Sequence, residues 1–284
     1  MKTGISFNDF GYGLPINETM KAIRLAGFNT FFSEASCSEE KIHALKNESV
    51  KVGLEYESVH APFGGINVIW QDGDAGDEYV KRLCNTADIC SKYGIGYFTM
   101  HCMNVPRFNV DVKEPQNLSD VGVERFRRIV EYAENVGVKA CLENVEFPHY
   151  ELKALISTIR KYNYSSLGFT WDVGHENCYP CDMDVMGAFG DLLVGTHIHD
   201  NFGQKDPHTV TWDDDSHVPP FDGKIDYIRV ANKLKAVDFK GSITLEIGRN
   251  KEHPTYKKMT IEEYLTDMHR RAALIAACCE TKMI

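Results

Sequence analysis

Residues 118–145, LSDVGVERFRRIVEYAENVGVKACLENV, contain the pattern that decides the fold. Apolar residues recur every three or four positions through the first part, as in an amphipathic helix, and Gly137 follows its last turn. The second part, KACLENV at 139–145, is a short apolar run of the kind expected in a buried strand. The stretch therefore predicts a helix that leads directly into a strand of a parallel sheet.

The same alternation of helix and strand patterns extends along the chain in both directions. Seven further strand candidates are TGISF, NTFFSEA, LEYESVHA, YFTMHC, LGFTWDV, VGTHIHD and SITLEIG. Helix candidates between them include INETMKAIRLAG, SEEKIHALKNE, DEYVKRLCNTADICSKYG and TIEEYLTDMHRRAALIAACC. Eight strands are the number that a closed barrel needs, and 284 residues are close to its typical length of roughly 250. We predict an α/β fold, a single (β/α)8 TIM barrel that spans residues 1–284 as one domain.

Composition narrows the possible partners and the compartment. The chain is 43% hydrophobic and 25% charged, and it lacks both a signal-like apolar core and the run of ~18 apolar residues that a membrane span needs. We expect a cytoplasmic protein with no membrane partner, for which a homo-oligomer is compatible with the sequence. A net charge of −10 repels polyphosphate, so nucleic acid is not an expected partner.

The cysteines bear on the redox state of the protein, and two long connections bear on where its site lies. Nine scattered cysteines indicate reduced thiols, and the single C-x-x-C from Cys178 to Cys181 is interpreted as loop packing. The connections from Met103 to Asn117 and from Asn201 to Asp222 exceed the ~2 to 6 residues usual between strand and helix. Both follow predicted strands, which places them on the carboxyl-terminal face of the barrel, where active sites form. We interpret the second as a lid or as part of the site.

Side chains able to bind metal end six of the strand candidates: His60, His101, Glu143, Asp172, His197 and Glu246. Parallel strands place these positions on one rim of the barrel, where inward-facing groups converge on the axis. A carboxylate that ends an apolar run such as ITLEIG is costly to bury unless a cation offsets its charge. Taken singly, a strand-end histidine such as His60 or His101 is more often a hydrogen-bonded structural group than a ligand, and the role of His199 stays open.

The late-strand residues Glu143, Asp172, His197 and Glu246 are the predicted metal ligands. Carboxylate oxygens with one imidazole suit a divalent metal ion, Mn²⁺ first and Zn²⁺, Mg²⁺ or Co²⁺ as alternatives. Such an ion stabilises an enediolate that forms when a proton beside a carbonyl is removed. Glu143 and Glu246 are the candidate acid and base. His175, at the turn after Asp172, is interpreted as a helix-terminal group or a substrate contact.

Several motifs together resemble the xylose-isomerase-like TIM-barrel superfamily, which includes sugar phosphate isomerases and epimerases, inosose dehydratases and the AP endonuclease family 2. The motifs, in chain order, are SVHAPFG, TMHC, LENVE, WDVGH, HIHDN, DSHVPPFDGKIDY and TLEIG. The resemblance covers nearly the whole chain. It implies the same four metal ligands, with Glu143 and Glu246 as acid and base and His175 as a contact to substrate oxygen.

The resemblance also adds residues to the candidate site and narrows the choice of reaction. We assign substrate binding to His60, His101, His175, Asp215 and His217; in the endonuclease branch, which uses more metals, the same residues are candidates for additional ligands. Ketose 3-epimerases carry an arginine shortly after the strand-seven histidine, where this chain has Asn201, Phe202 and Gly203. That difference argues against a ketohexose 3-epimerase.

The function predicted from the sequence is a divalent-metal-dependent isomerase or epimerase acting on a small sugar, polyol or related hydroxy-carbonyl compound. The alternatives are a metal-dependent dehydratase or lyase of the inosose type, an apurinic-site endonuclease, and a metal-binding barrel without catalysis. A phosphorylated substrate would need a cationic cradle, for which Arg107, Lys205 and Arg249 are candidates.

Overall fold

The structure, a computed structural model, describes residues 1–8, 13–34, 38–103, 118–145, 149–179, 183–206, 210–211, 213–250 and 253–281. Within them, eight parallel strands follow one another around a barrel in sequence order, with β1 also paired to β8. The strands are β1 (Lys2–Phe7), β2 (Thr30–Ser33), β3 (Glu55–His60), β4 (Tyr97–Met100), β5 (Lys139–Glu143), β6 (Leu167–Asp172), β7 (Leu193–His197) and β8 (Ser242–Leu245). The predicted (β/α)8 barrel is confirmed.

Helices surround the strands. The described α-helices are α1 (Ile16–Ala26), α2 (Glu39–Val52), α3 (Asp74–Tyr93), α4 (Asp120–Val136), α5 (His149–Ile159), α6 (Val173–Cys178), α7 (Val185–Phe189), α8 (Tyr227–Ala236) and α9 (Ile261–Glu280). Short 3₁₀ helices cover Ile66–Trp70, Arg160–Tyr162, Gly190–Leu192 and Tyr256–Lys258. The predicted strand and helix segments each overlap an observed element.

Local sequence explains where the helices begin and end. The Ser119 side chain accepts the N–H of Gly122 at the start of α4, and Thr260 and Glu263 form a reciprocal capping box at the start of α9. The helix predicted from Asp77 begins three residues earlier, at Asp74, because both acidic groups then lie in the first turn, where the helix dipole favours them.

Within the described residues, the barrel closes between β7 and β8 through an isolated bridge rather than through a continuous ladder. Ile198, just beyond β7, forms an isolated parallel bridge with Leu245. Its N–H donates to the carbonyl of Thr244 at 2.9 Å, and its carbonyl accepts the N–H of Glu246 at 3.0 Å. The hydroxyl of Thr196 adds a bond to the Ser242 carbonyl at 2.8 Å. This closure brings the ends of β5 to β8 onto one rim.

The partly buried carboxyl of Glu57 lies inside the barrel, away from that rim. The register between β2 and β3 shifts at Phe31/Phe32, so that the pairing passes over Glu57. Its Oε2 accepts the hydroxyls of Thr30 and Thr244, each at 2.9 Å. Gly4 leaves this space open, because a Cβ there would lie 2.3 Å from the Thr30 hydroxyl oxygen. Burial raises the pKa of Glu57 despite these bonds.

Candidate metal centre

The four predicted metal ligands meet at the carboxyl-terminal rim, and we call this group the cradle. Glu143, Asp172 and His197 end β5, β6 and β7, and Glu246 follows β8 directly. One ligand-capable atom of each lies within 4.8 Å of the others. Nδ1 of His197 is 2.6 Å from Oε1 of Glu143 and 3.4 Å from Oε2 of Glu246. The strand ends therefore direct three carboxylates and one imidazole at a common point.

A second group of ligand-capable atoms adjoins the cradle and shares one of its residues. Oε2 of Glu143 lies 3.1 Å from Nε2 of His101 and 3.5 Å from Nε2 of His60. Nδ1 of His60 lies 2.9 Å from the Ala61 carbonyl, a contact that a protonated Nδ1 satisfies. In the neutral ring, Nε2 would then carry a lone pair toward a carboxylate, which is favourable only with a proton or a cation between them.

A third group, which we call the loop cluster, consists of His175, His199, Asp215 and His217. His175 lies in α6, His199 lies beyond β7, and Asp215 and His217 lie in the long connection that follows. The Asp215 carboxylate faces Nε2 of His217 at 3.3 Å, Nε2 of His175 at 3.6 Å and Nε2 of His199 at 3.7 Å. His199 also reaches the cradle, since its Nε2 is 3.1 Å from Oδ1 of Asp172.

The buried charges of the cradle are strongly coupled. Burial alone would raise the pKa of the Glu143 carboxyl, but the charge of His197 and the hydrogen bond from His101 hold that pKa well below its usual range. Burial would likewise raise the pKa of Asp172, yet His175 and His199 bring it to about 2. Both carboxyls are therefore ionised at neutral pH, and their charge must be balanced locally.

The pKa values of the imidazoles shift in the opposite direction, upward. Burial lowers the pKa of His197, but Glu246 and Glu143 outweigh that effect and bring it to about 9. Burial also disfavours the charged ring of His217, while Asp215 raises its pKa to about 9. Neighbouring carboxylates favour the protonated form of these rings. A divalent cation would balance the same negative charge in place of the protons.

The donor set fits a divalent metal ion. Oδ2 of Asp172 and Nε2 of His197 are buried and have no hydrogen-bond partner within the described part of the chain. Unsatisfied buried groups of this kind are rare in folded proteins and call for an explanation such as a bound ion. Three carboxylate oxygens with one imidazole nitrogen match the preferences of Mn²⁺, Mg²⁺, Co²⁺ or Zn²⁺, and nothing in the set selects one of them.

Supporting residues that the sequence did not reveal hold this site in place. The amide of Asn144 pairs with both backbone groups of Asp172, at 2.8 and 2.7 Å. The buried carboxylate of Asp200 accepts the backbone N–H groups of Asn201, Phe221 and Ile225 at 2.9 to 3.1 Å. The signal in the sequence is that Asn144 and Asp200 each lie at the end of a strand candidate, a position also common for polar residues without a role.

Asn201 and the predicted cationic residues take structural positions. Asn201, which stands near where ketose 3-epimerases carry an arginine, donates to the Gly174 carbonyl at 2.8 Å. Arg249 donates to the carbonyls of Tyr256 and Met259. Lys205 is exposed and lies 3.5 Å from the Asp213 carboxylate. These contacts use one guanidinium nitrogen of Arg249, so a phosphate cradle formed by these residues stays a prediction.

The structure describes only some of the residues on which the remaining predictions depend. Arg107, Cys181 and the connection at 104–117 lie outside the described residues, whereas Cys178 is buried and not in a disulfide. In the part of the chain that the structure covers, no helix combines the length and apolar character that a membrane crossing requires.

Comparison with known proteins shows the family to which the chain belongs. The family model described as xylose isomerase-like TIM barrel matches residues 20–265, and the chain belongs to that family. An uncharacterised protein of Sinorhizobium fredii, y4fM, is 25% identical over 307 aligned positions, which cover 92% of this chain and 93% of that protein.

Solved structures share the fold at lower identity. The D-psicose 3-epimerase of Clostridium cellulolyticum H10 superposes with a TM-score of 0.71 at 17% identity, covering 99% of this chain and 100% of that one. The 3-keto-D-glucoside 4-epimerase YcjR of E. coli gives a TM-score of 0.72 at 17% identity, covering 98% of this chain and 100% of that one. At these identities the likeness shows the fold.

Proposed function

We propose that this protein is a divalent-metal-dependent isomerase or epimerase that acts on a small sugar, polyol or related hydroxy-carbonyl compound. The observation that carries the proposal is the convergence of Glu143 and Glu246, from β5 and β8, on the same nitrogen of His197 at 2.6 and 3.4 Å. Two carboxylates around one point allow one to remove a proton beside a carbonyl and the other to return it. The sugar epimerases that share this fold support the choice of substrate class.

Each residue of the cradle has a distinct task in this proposal. Glu143, Asp172, His197 and Glu246 would hold the cation, which when bound polarises two adjacent substrate oxygens. Glu143 and Glu246 would also carry the proton to and from the substrate carbon, by way of an enediolate. His60 and His101, which face Glu143, would orient substrate oxygens by hydrogen bonding.

Aromatic contacts indicate a wall for the substrate next to these groups. Phe63 stacks on His101 with ring centroids 4.6 Å apart, and 40% of its surface is exposed. Phe32 is buried and stacks on His197 at 4.7 Å. A half-exposed ring beside polar groups suits the face of a sugar, which presents C–H groups on one side and hydroxyls at its edge.

The test is a panel of ketoses, aldoses, 3-keto-glycosides and inososes, each assayed with the metal-free protein and with added Mn²⁺, Mg²⁺, Co²⁺ or Zn²⁺. In deuterated water, an isomerase or epimerase incorporates solvent deuterium at the carbon that loses its proton. A dehydratase instead yields an unsaturated or deoxy product. Metal-stimulated interconversion with deuterium in the product supports the proposal, and inertness of the metal-loaded protein toward the whole panel contradicts it.

One observation favours a second candidate, a metal-dependent phosphodiesterase of the apurinic-endonuclease type. The described residues place three metal-competent groups side by side, and Glu143 belongs to two of them. Adjacent metal ions stabilise both the attacking and the leaving oxygen of a phosphodiester. The net charge of −10 opposes binding to a DNA backbone. Nicking of abasic-site DNA that stops with chelator would establish this activity.

A further inference from the structure

A cavity of about 340 Å³ lies between helices α2 and α3, and we call it the α2–α3 cavity. Part of its wall is apolar, because Ile42 of α2, Val59 of β3 and Ile89 of α3 line it. Ile42 and Val59 are buried, with 2% and 3% of their surfaces exposed. Cavities that hold small molecules measure roughly 300 to 1,000 Å³ and combine apolar walls with a few polar groups. The α2–α3 cavity is therefore large enough for a small ligand.

This cavity lies on the helix side of β3, away from the cradle. Successive side chains of a strand point to opposite faces of the sheet. The His60 ring faces Glu143 inside the barrel, so the Val59 side chain faces the helices. His60 nevertheless contributes to the cavity wall. A molecule in the cavity would thus lie outside the barrel and still contact a residue of the candidate site.

Arg82 brings to the cavity wall a positive charge that pairs with no carboxylate of the described residues. Its guanidinium lies over the Tyr79 ring, 4.8 Å from the ring centroid. The Tyr79 ring is buried, and its hydroxyl donates to the Pro62 carbonyl at 2.7 Å. A guanidinium stacked on an aromatic face is held in place while its N–H groups remain available to an anion. Arg82 is thus a preorganised anion-binding group.

The charges on the cavity wall match a ligand with one negative charge. Lys81 and Glu78 also line the cavity, but they neutralise each other, since Nζ of Lys81 is 2.6 Å from Oε1 of Glu78. Of this lysine, arginine and glutamate, the charge of Arg82 is the one left unbalanced. A carboxylate carries one negative charge and accepts two parallel N–H bonds from a guanidinium. A phosphate monoester carries nearly two negative charges and would need a second cation.

We propose that the α2–α3 cavity binds a small monocarboxylic acid with an apolar body. The body would pack against Ile42, Val59 and Ile89, and the carboxylate would accept hydrogen bonds from Arg82. The apolar wall disfavours a fully polar ligand, and the single unbalanced guanidinium favours a monoanion over a neutral or a phosphorylated compound. The site is separate from the cradle, and the inference does not depend on the reaction that the cradle performs.

The experiment measures binding of hexanoate to the full-length protein by isothermal titration calorimetry, in the wild type and in the variants Arg82→Gln and Arg24→Gln. Arg24 is an exposed arginine of α1, so its variant is the matched control for the loss of one positive charge. We expect hexanoate to bind the wild type and Arg24→Gln equally, and to bind Arg82→Gln roughly tenfold more weakly because a charge-assisted hydrogen bond is lost. Equal affinity of the two variants, or no saturable binding by the wild type, overturns the proposal.

Two further measurements test the class of ligand and the place where it binds. Hexan-1-ol and hexyl phosphate keep the apolar body of hexanoate and change its charge; binding of either one as tight as that of hexanoate overturns the choice of a carboxylate. Asn85→Phe, at an exposed position of α3 on the cavity wall, adds a ring to the wall without changing any charge. We expect it to weaken hexanoate binding and to leave the melting temperature close to that of the wild type. Unchanged affinity for hexanoate in this variant would show that the acid binds elsewhere and would overturn the proposal.

Discussion

Oε1 of Glu143 lies 2.6 Å from Nδ1 of His197, although β6 separates the strands that carry these residues. The other oxygen of the same carboxylate faces His101 at 3.1 Å. One side chain therefore joins the cradle to the group around His60, and its removal should affect both.

Glu143→Gln should lower kcat by about 10² to 10⁴, the contribution typical of a general acid or base, and Glu246→Gln should do the same. An amide keeps the size of the carboxyl group but cannot carry a proton or a negative charge. Steady-state kinetics on the substrate identified by the panel measure the effect. Glu55→Gln, at an exposed surface carboxylate, is the matched control. Wild-type turnover by either variant would remove that residue from the acid and base roles.

Removal of metal should abolish turnover and lower the melting temperature. A cation that binds only the folded state adds about 2.7 kcal/mol to the free energy of unfolding at a concentration 100 times its Kd. Thermal unfolding of chelator-treated protein, followed during titration with Mn²⁺, gives this dependence. A protein verified to be metal-free that turns over at the original rate would contradict the proposed role of the cation.

Glu57→Gln should make the protein more stable at pH 8 than the wild type, and the difference should shrink toward pH 5. The folded pKa of Glu57 is raised above its ordinary value of 4.5. Its contribution is therefore fully present below that value and is lost as pH rises through the folded pKa. A folded pKa that is higher by one than the unfolded pKa corresponds to about 1.4 kcal/mol. Urea unfolding of both proteins at several pH values measures the difference, and a difference independent of pH would contradict the assignment.

Asp200→Asn should cost about 1 to 3 kcal/mol of stability, because an amide offers one acceptor oxygen and turns a donor toward backbone N–H groups. The carboxylate now accepts the N–H of Asn201, Phe221 and Ile225. Chemical denaturation measures the loss, with Asp213→Asn at an exposed carboxylate as the control. Unchanged stability would show that water replaces these bonds at no cost.

Gly174→Ala should destabilise the protein, because the added methyl group would lie 2.0 Å from Cε1 of the buried His199 ring and displace it. Overpacking of this kind costs about 1 to 3 kcal/mol. Gly96→Ala is the control, because a Cβ there has no neighbour within 4 Å. Chemical denaturation of both variants measures the difference, and equal stability of the two would mean that the His199 ring moves aside without cost.

The sequence was sufficient for the barrel and for the position of the cradle. Strand ends are readable from apolar runs, and parallel strands force residues such as Glu143 and Glu246 onto one rim whatever their separation in the chain. Their convergence followed from topology alone. The roles assigned to them remain proposals.

The loop and the barrel interior could not be predicted in the same way. Asp215 and His217 lie in a loop whose backbone donates hydrogen bonds to the Asp200 carboxylate. A periodic pattern in the sequence does not predict hydrogen bonds of this kind. The direction of His199 depends on the strand ending at His197, which the pattern left open. The inward direction of Glu57 depends on the shift in register between β2 and β3 at Phe31/Phe32. The sequence pattern does not predict that shift.

The sparse closure between β7 and β8 has a consequence for how the chain assembles. Lys2 pairs with Ser242, so the ring cannot be completed until almost the whole chain has been synthesised, and contacts so distant in sequence form slowly. His197 and Glu246 lie on the two sides of the last joint. A cation held between them would link the two strand ends at that joint, so that binding of the cofactor would favour the closed ring over the open one.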